Sequence, residues 1–159
     1  HLAGEQFKKA AGLDITHIPY KGGAPAMTEV LGGHVPFLFS SLGAAAQHIK
    51  AGTVRALAVS SADRSSMFPD VPTIAESGFP GFDATIWFGI VAPKGLPADV
   101  QKRLTTEMAK AMQSKELQQT IKFQAYEPMV FTPEQTAQRI KDDYAAWGVT
   151  VKEAGISQK

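Results

Sequence analysis

The stretch from Asp14 to Met27, DITHIPYKGGAPAM, joins an alternating run to two glycines and a proline. Alternation over residues 15–20 is typical of a β-strand. Gly22 and Gly23 allow the backbone a positive φ and let a ligand approach the main chain. Pro25 suits the first turn of a helix, where its missing N–H costs nothing. The stretch therefore predicts a strand, a glycine turn and a helix N-terminus in immediate succession.

A helix N-terminus of this kind can hold an anion. Its first N–H groups have no partner within the helix and carry partial positive charge, and Lys21 adds a full charge beside them. The same residues are also explained by a connection that needs glycines only to turn the chain. The phosphate-loop and dinucleotide-binding patterns are both absent from the sequence, so both interpretations stay open on the local pattern.

Helix and strand patterns alternate through the first eighty residues. Helices are predicted at residues 1–11, 25–31 and 42–50, and strands at residues 15–20, 35–39 and 54–59. Such alternation favours an α/β fold with a parallel-type sheet, right-handed crossovers and flanking helices. Ligands bind such sheets where the strands end and the loops lead into helices. The predicted ligand loops are residues 20–24, 40–43 and 60–63.

The second half of the chain is predicted to be mainly helical. It opens with a proline-rich loop at residues 64–82, which carries one helical turn at 73–76. Thr132, Pro133 and Gln135 form a strong helix start. We expect the apolar stripes of the last three helices to be core. The other predicted segments are strands at 84–91 and 129–131 and helices at 97–113, 115–123 and 132–154.

Composition excludes several classes of function. The chain has 159 residues and a net charge of +1, with no basic run that would favour nucleic acid. No apolar run approaches the roughly 18 residues that a membrane span needs. The absence of cysteine excludes disulfides and thiolate sites. Because the chain starts without Met on a helical pattern, we expect its natural start to lie upstream.

The sequence shows no pattern for catalysis, a metal or a cofactor. The four histidines form no His-Glu-x-x-His motif and have no carboxylate partner at metal spacing. His17 and His48 are interpreted as structural. No serine lies in a Gly-x-Ser-x-Gly elbow, and the carboxylates are scattered rather than paired.

The run over residues 1–78, from HLAGEQFKKAAG to FPDVPTIAESG, resembles the substrate-binding proteins of tripartite tricarboxylate transporters, the Bug or TctC-like family. Trp87-Phe88-Gly89, the APKGLP run at 92–97, Glu127-Pro128 and the helix start at 132–134 follow in the same order. The resemblance covers essentially the whole chain. It implies a periplasmic, two-lobed binding protein that closes on a small organic carboxylate or related metabolite. Such a protein hands its ligand to the membrane components of a transporter and is not an enzyme.

The resemblance also implies a domain organisation. Residues 1–81 would be ligand-binding lobe two, in the manner of type II periplasmic binding proteins. Residues 82–159 would form the return crossover and the C-terminal segment that completes lobe one, with the N-terminal half of the family pattern lacking. The ligand-facing positions that it implies are His1, Tyr20, Lys21, Gly22, Gly23, Ser40, Ser41, Trp87 and Phe88. For Trp87 and Phe88, packing in the core is an equal alternative.

Two other classes of function remain open on the sequence. An α/β hydrolase-like enzyme would use Ser40 or Ser61 as its nucleophile, and an effector-binding module of a regulator would share the two-lobed architecture. The apolar faces of the C-terminal helices also suggest self-association, because they would be exposed without the rest of lobe one. We therefore expect a homodimer or a domain swap through these helices.

Overall fold

Six α-helices make up the regular structure of the part of the chain that is described. The computed structural model describes residues 1–156. Each of its helices lies where the sequence predicts one, so these six predictions are confirmed. In chain order they are α1 (Leu2–Ala11), α2 (Gly23–Leu31), α3 (Leu42–Lys50), α4 (Ala98–Met112), α5 (Lys115–Phe123) and α6 (Pro133–Glu153).

Local sequence signals set several of the helix ends. At the start of α6 the Thr132 hydroxyl accepts a hydrogen bond from the Gln135 N–H at 3.2 Å, and the Gln135 side chain accepts from the Thr132 N–H at 2.8 Å. This is the predicted capping box. Helix α1 ends at Gly12, whose φ of 61° suits glycine. Ser41 occupies the cap position of α3, but its side chain makes no capping bond.

The predicted sheet is not confirmed. Within residues 1–156, the only β-pairing is an isolated parallel bridge between Val59 and Thr73. Val59 donates to Pro72 O and accepts from the Ile74 N–H, both at 2.9 Å. A strand exists only when a neighbouring strand satisfies its N–H and C=O groups. An apolar pattern shows that a segment is able to pair as a strand. It does not identify the strand with which the segment pairs. The segments concerned are residues 15–20, 35–39, 54–59, 84–91 and 129–131.

A small core joins the start of the chain to its end. Ile74, Phe82 and Ala84 are buried together, and Phe7 of α1 and Trp147 of α6 pack against them. Helices α1 and α6 are in contact along this region. The core therefore holds the proline-rich loop and the crossover between the first and the last helix.

The proline-rich loop contains the predicted turn. Thr73 is 1% exposed, and its hydroxyl accepts from the Glu76 N–H while its own N–H donates to the Glu76 carboxylate. Arg64 Nε lies 2.9 Å from Glu76 Oε2 and 3.1 Å from Oε1. This reciprocal bonding gives an otherwise irregular loop a defined turn.

The apolar stripes of α4, α5 and α6 are not core, contrary to the prediction. Leu104 is 46% exposed and Tyr144 is 84% exposed, and none of the three helices contains a fully buried residue. Trp147 is the residue of α6 that contacts the core. The sequence pattern identified helix faces that could be buried. In the described part of the chain, no other layer of structure covers these faces. No helix among residues 1–156 is both long and apolar enough to cross a membrane.

Candidate functional site

The glycine turn at Gly22 and Gly23 presents an open helix N-terminus. Gly22 precedes α2 with a φ of 110° and a ψ of 174°, a conformation that strongly favours glycine. A Cβ built on either glycine meets no atom within 4 Å. In the described structure, the N–H groups of Gly23 and Ala24 have no hydrogen-bond acceptor. The main chain is therefore free to receive a ligand.

The charges around this turn favour an anion. Lys21 is exposed immediately before it and Tyr20 is half-buried. Met27 on the next turn of α2 is buried and anchors the helix. A carboxylate at the turn would accept hydrogen bonds from backbone N–H groups beside a cation, an arrangement worth about 1.5–3 kcal/mol for each charge-assisted bond.

His1 lies beside the segment that enters the glycine turn. Its ring stacks on that of His17, with centroids 3.8 Å apart and planes 5° from parallel. His1 Nε2 also lies 3.8 Å from Glu5 Oε1. The structure therefore brings a predicted ligand residue onto His17, for which the sequence predicts a structural role.

The loop at Ser40 and Ser41 is more enclosed than the glycine turn. Ser40 Oγ donates to Ser41 O at 3.2 Å. A Cβ on Gly43, in the first turn of α3, would lie 2.4 Å from the Gln124 carbonyl oxygen. A partially negative oxygen therefore already lies against this helix end, where it disfavours a second negative group.

Among the described residues, neither candidate nucleophile has a catalytic partner. The hydroxyls of Ser40 and Ser61 both donate to main-chain carbonyls, the second to Asp63 O at 2.7 Å. Among residues 1–156, neither serine hydrogen-bonds to a histidine. A hydrolase needs a base within hydrogen-bond reach of its nucleophile, so the hydrolase alternative is not supported.

Trp87 and Phe88 point to different surroundings. The Trp87 ring is half-buried, and its Nε1 donates to Asp143 Oδ2 at 2.5 Å. Phe88 is 76% exposed and meets Tyr126 edge-on with ring centroids 5.3 Å apart. Trp87 thus anchors the crossover to α6, while Phe88 has most of its ring available for contact.

Sequence reasoning missed the polar network around Asp143. Arg139 Nε lies 2.9 Å from Asp143 Oδ1, although its N–H does not aim at that oxygen and makes no hydrogen bond. Asp83 Oδ2 lies 3.9 Å from the Arg139 guanidinium. The four-residue spacing of Arg139 and Asp143 on one helix was the available signal. The hydrogen bond from Trp87 to Asp143 could not be predicted from that spacing.

A concavity of about 290 Å³ adjoins this network. Three aspartates and one arginine contribute to its wall, so its negative charge disfavours a carboxylate ligand. The glycine turn is the better candidate for an anion. No group of three or more histidine and carboxylate side chains suited to a metal occurs in residues 1–156. The concavity is lined by Gln6, Asp83, Thr85, Arg139, Asp142, Asp143, Ala146, Trp147 and Thr150.

Comparison with known proteins gives a consistent result. Residues 1–156 match the family described as tripartite tricarboxylate transporter family receptor. Protein BugT of Bordetella pertussis is 40% identical over 159 residues, which are 100% of this chain and 49% of that protein. The chain thus spans about half the length of this curated relative.

Solved structures resemble the chain over the same extent. R. palustris Rpa4515 with adipate matches with a TM-score of 0.85 and 34% identity, over 99% of this chain and 52% of that one. The periplasmic binding protein BugD matches with a TM-score of 0.77 and 33% identity, over 100% of this chain and 54% of that one. The chain has the α/β binding-protein fold of these structures.

Proposed function

The chain belongs to the tripartite tricarboxylate transporter receptor family, and from this premise we propose that it serves as a periplasmic solute-binding protein for a small organic carboxylate. Its partners in this proposal are the membrane components of a transporter of the tripartite tricarboxylate type. The function requires capture and release only, with no covalent chemistry. A dicarboxylate is the first candidate ligand, since adipate is present in the structure of Rpa4515.

The observation that carries the proposal is the open N-terminus of α2. Gly22 and Gly23 leave the main chain uncovered, and two N–H groups there lack an acceptor in the described structure. Backbone N–H groups at a helix N-terminus bind carboxylates through hydrogen bonds and the helix dipole. Lys21, Tyr20, His1 and Phe88 are proposed to surround the ligand, and Ser40 and Ser41 to contribute on the far side. Trp87 is proposed to act at the cleft while held by Asp143.

We propose the two-lobed organisation with the boundaries that the resemblance implies. Residues 1–81 form ligand-binding lobe two, and residues 82–159 form the return crossover and the part that completes lobe one. Closure of two lobes excludes water and strengthens the polar contacts to a charged ligand. The open glycine turn in residues 1–81 would then supply the fixed half of the ligand site.

Self-association belongs to the same proposal. Apolar side chains on α4 and α6 are exposed, among them Leu104, Met108 and Tyr144. Exposed apolar side chains that share a helix face favour association. A second copy of the chain, as a homodimer or a domain swap, is proposed to cover them.

Isothermal titration calorimetry on the complete two-lobed protein tests the ligand proposal. The panel contains adipate, other dicarboxylates, monocarboxylates and an uncharged diamide of adipic acid. Binding of a carboxylate with no heat from the diamide is expected, because the proposed site recognises negative charge. Equal binding of the diamide, or no binding by any acid, would contradict the proposal.

A further inference from the structure

Two exposed imidazole rings form a stack between the start of α1 and the segment that enters the glycine turn. The rings of His1 and His17 lie within 5° of parallel, with centroids 3.8 Å apart, so their faces are in contact. The His1 side chain is 40% exposed, and His17 is exposed as well. Neither residue belongs to the buried core of the described structure. The stack therefore adds little apolar burial to the fold.

Glu5 holds the main chain of His1 but not its ring. The Glu5 N–H donates to His1 O at 3.0 Å, which fixes the backbone of His1 at the start of α1. The Glu5 side chain is only 11% exposed, and its Oε2 lies 3.0 Å from Lys8 Nζ. Glu5 Oε1 lies 3.8 Å from His1 Nε2, a distance longer than a hydrogen bond. The orientation of the His1 ring is therefore left to another contact.

The stack on His17 supplies that orientation. Once the main chain of a histidine is fixed, only the torsions χ1 and χ2 turn its imidazole ring. A parallel ring in contact with one face opposes both rotations, because either would bring the two rings into overlap. With His17 on one face and Glu5 at one edge, the exposed part of His1 is the part that these two contacts leave uncovered.

The stack also joins two segments that carry proposed ligand residues. His1 stands at the start of α1, whereas the glycine turn follows His17 in the same segment of chain. Only residues 18–21 separate His17 from Gly22, and they include Tyr20 and Lys21. A contact at His17 therefore relates the ring of His1 to the ligand turn.

We propose that His17 is a positioning residue of the ligand site, which acts by holding the His1 ring toward the bound carboxylate. This inference rests on the proposed function, in which His1 and the glycine turn meet the same ligand. The exposure of His17 and its contact with His1 favour this role over the structural role that the sequence predicts. A ring that is already oriented does not have to be ordered by the ligand, so the entropy lost on binding is smaller.

Calorimetry with adipate on variants of the complete two-lobed protein tests this role. His17→Ala removes the stack and should weaken adipate binding about threefold to tenfold, the size of effect expected from one aromatic pair. His17→Phe restores a flat ring and should bind within about twofold of wild type. His34→Ala is the matched control and should bind as wild type, because it removes an exposed histidine that pairs with Glu29 of α2.

A double variant separates positioning from direct contact with the ligand. If His17 acts through His1, the double variant of His1→Ala and His17→Ala should bind adipate no more weakly than His1→Ala alone. Additive losses would overturn the positioning role. Wild-type affinity in His17→Ala, or a His17→Phe variant that binds as weakly as His17→Ala, would overturn it as well.

Nuclear magnetic resonance of the His1 ring protons, measured without ligand, reports on the stack separately. The ring of His17 should displace these resonances, so His17→Ala should move them and His34→Ala should leave them in place. Unmoved resonances in His17→Ala would show that the stack is absent in solution and would overturn the inference alone. A wild type that binds none of the acids overturns the proposed function and this role together, whatever the ring protons show.

Discussion

The indole Nε1 of Trp87 donates a hydrogen bond to the Asp143 carboxylate across 56 residues of sequence. This bond joins the crossover to α6 and places a charged acceptor against a half-buried ring. Asp143 also lies beside Arg139, whose positive charge stabilises the carboxylate at this position through an ion pair.

Replacement of either partner of this bond should destabilise the fold. Trp87→Phe keeps most of the ring but removes the N–H, and we expect a loss of about 1–2 kcal/mol in the free energy of unfolding. Asp143→Ala should cost a similar amount. Urea unfolding of both single variants and the double variant checks this, since the two losses should not add. Additive losses would show that the bond contributes nothing.

Acid should weaken the proline-rich loop through Glu76. Its pKa is lowered from the ordinary value of 4.5, first by the hydrogen bond from Arg64 and then by the bond from the Thr73 N–H. The folded state therefore binds this proton less readily than the unfolded state. The stabilisation is present above about pH 4.5 and is lost as the pH falls through the lower folded value.

Unfolding titrations of wild type and Glu76→Gln between pH 7 and pH 3 measure this effect. The variant lacks the titrating carboxylate, so its stability should fall less steeply below about pH 4.5. Parallel stability curves for the two proteins would contradict the assignment.

A methyl group at Gly23 should harm binding without harming the fold. A Cβ there meets no protein atom within 4 Å, so Gly23→Ala should unfold at the same denaturant concentration as wild type or slightly higher. If a ligand carboxylate contacts this main chain, adipate affinity should fall about tenfold, the equivalent of one lost hydrogen bond.

Gly148→Ala provides the matched control for that variant. Gly148 lies within α6 and also has open space around its Cβ position. The substitution should stabilise the helix by up to about 1 kcal/mol and leave adipate affinity unchanged. Equal affinity in both variants would remove the glycine turn from the ligand site.

Loss of the capping box should lower the stability of α6. Thr132→Ala removes the hydroxyl that accepts from the Gln135 N–H, and we expect a loss of about 1 kcal/mol. Thr106→Ala in α4 is the control, because that hydroxyl only donates back to Lys102 O and alanine favours helix. Thermal unfolding of the two variants distinguishes them, and a control that loses as much as Thr132→Ala would argue against the cap.

Exposed apolar side chains on α4 should make the chain self-associate. Leu104 is 46% exposed, and Leu104→Glu should shift the molecular mass measured by light scattering toward the monomer. Gln101→Glu adds the same charge on the same helix at a position that is already polar and exposed, and should leave association intact. A wild type that stays monomeric at high concentration would refute the proposed dimer.

The sequence by itself determined the helices, because their signals lie within a few residues of one another. The capping box of α6, the glycine after α1 and the spacing of apolar residues are all local. The turn at Thr73 and Glu76 was predictable for the same reason. The glycine turn before α2 also follows from its own residues, since Gly22 adopts a backbone conformation that strongly favours glycine.

Only the tertiary structure decided which distant residues meet. Trp87 with Asp143, Ser66 with Glu127 and Gly43 with Gln124 are pairs that no periodicity relates. The predicted sheet is not confirmed for the same reason, because a strand needs a partner whose place is set by the whole fold. The prediction that α4 and α6 are buried was wrong, because an apolar stripe shows only what a helix can bury. The neighbouring elements decide whether that stripe is covered.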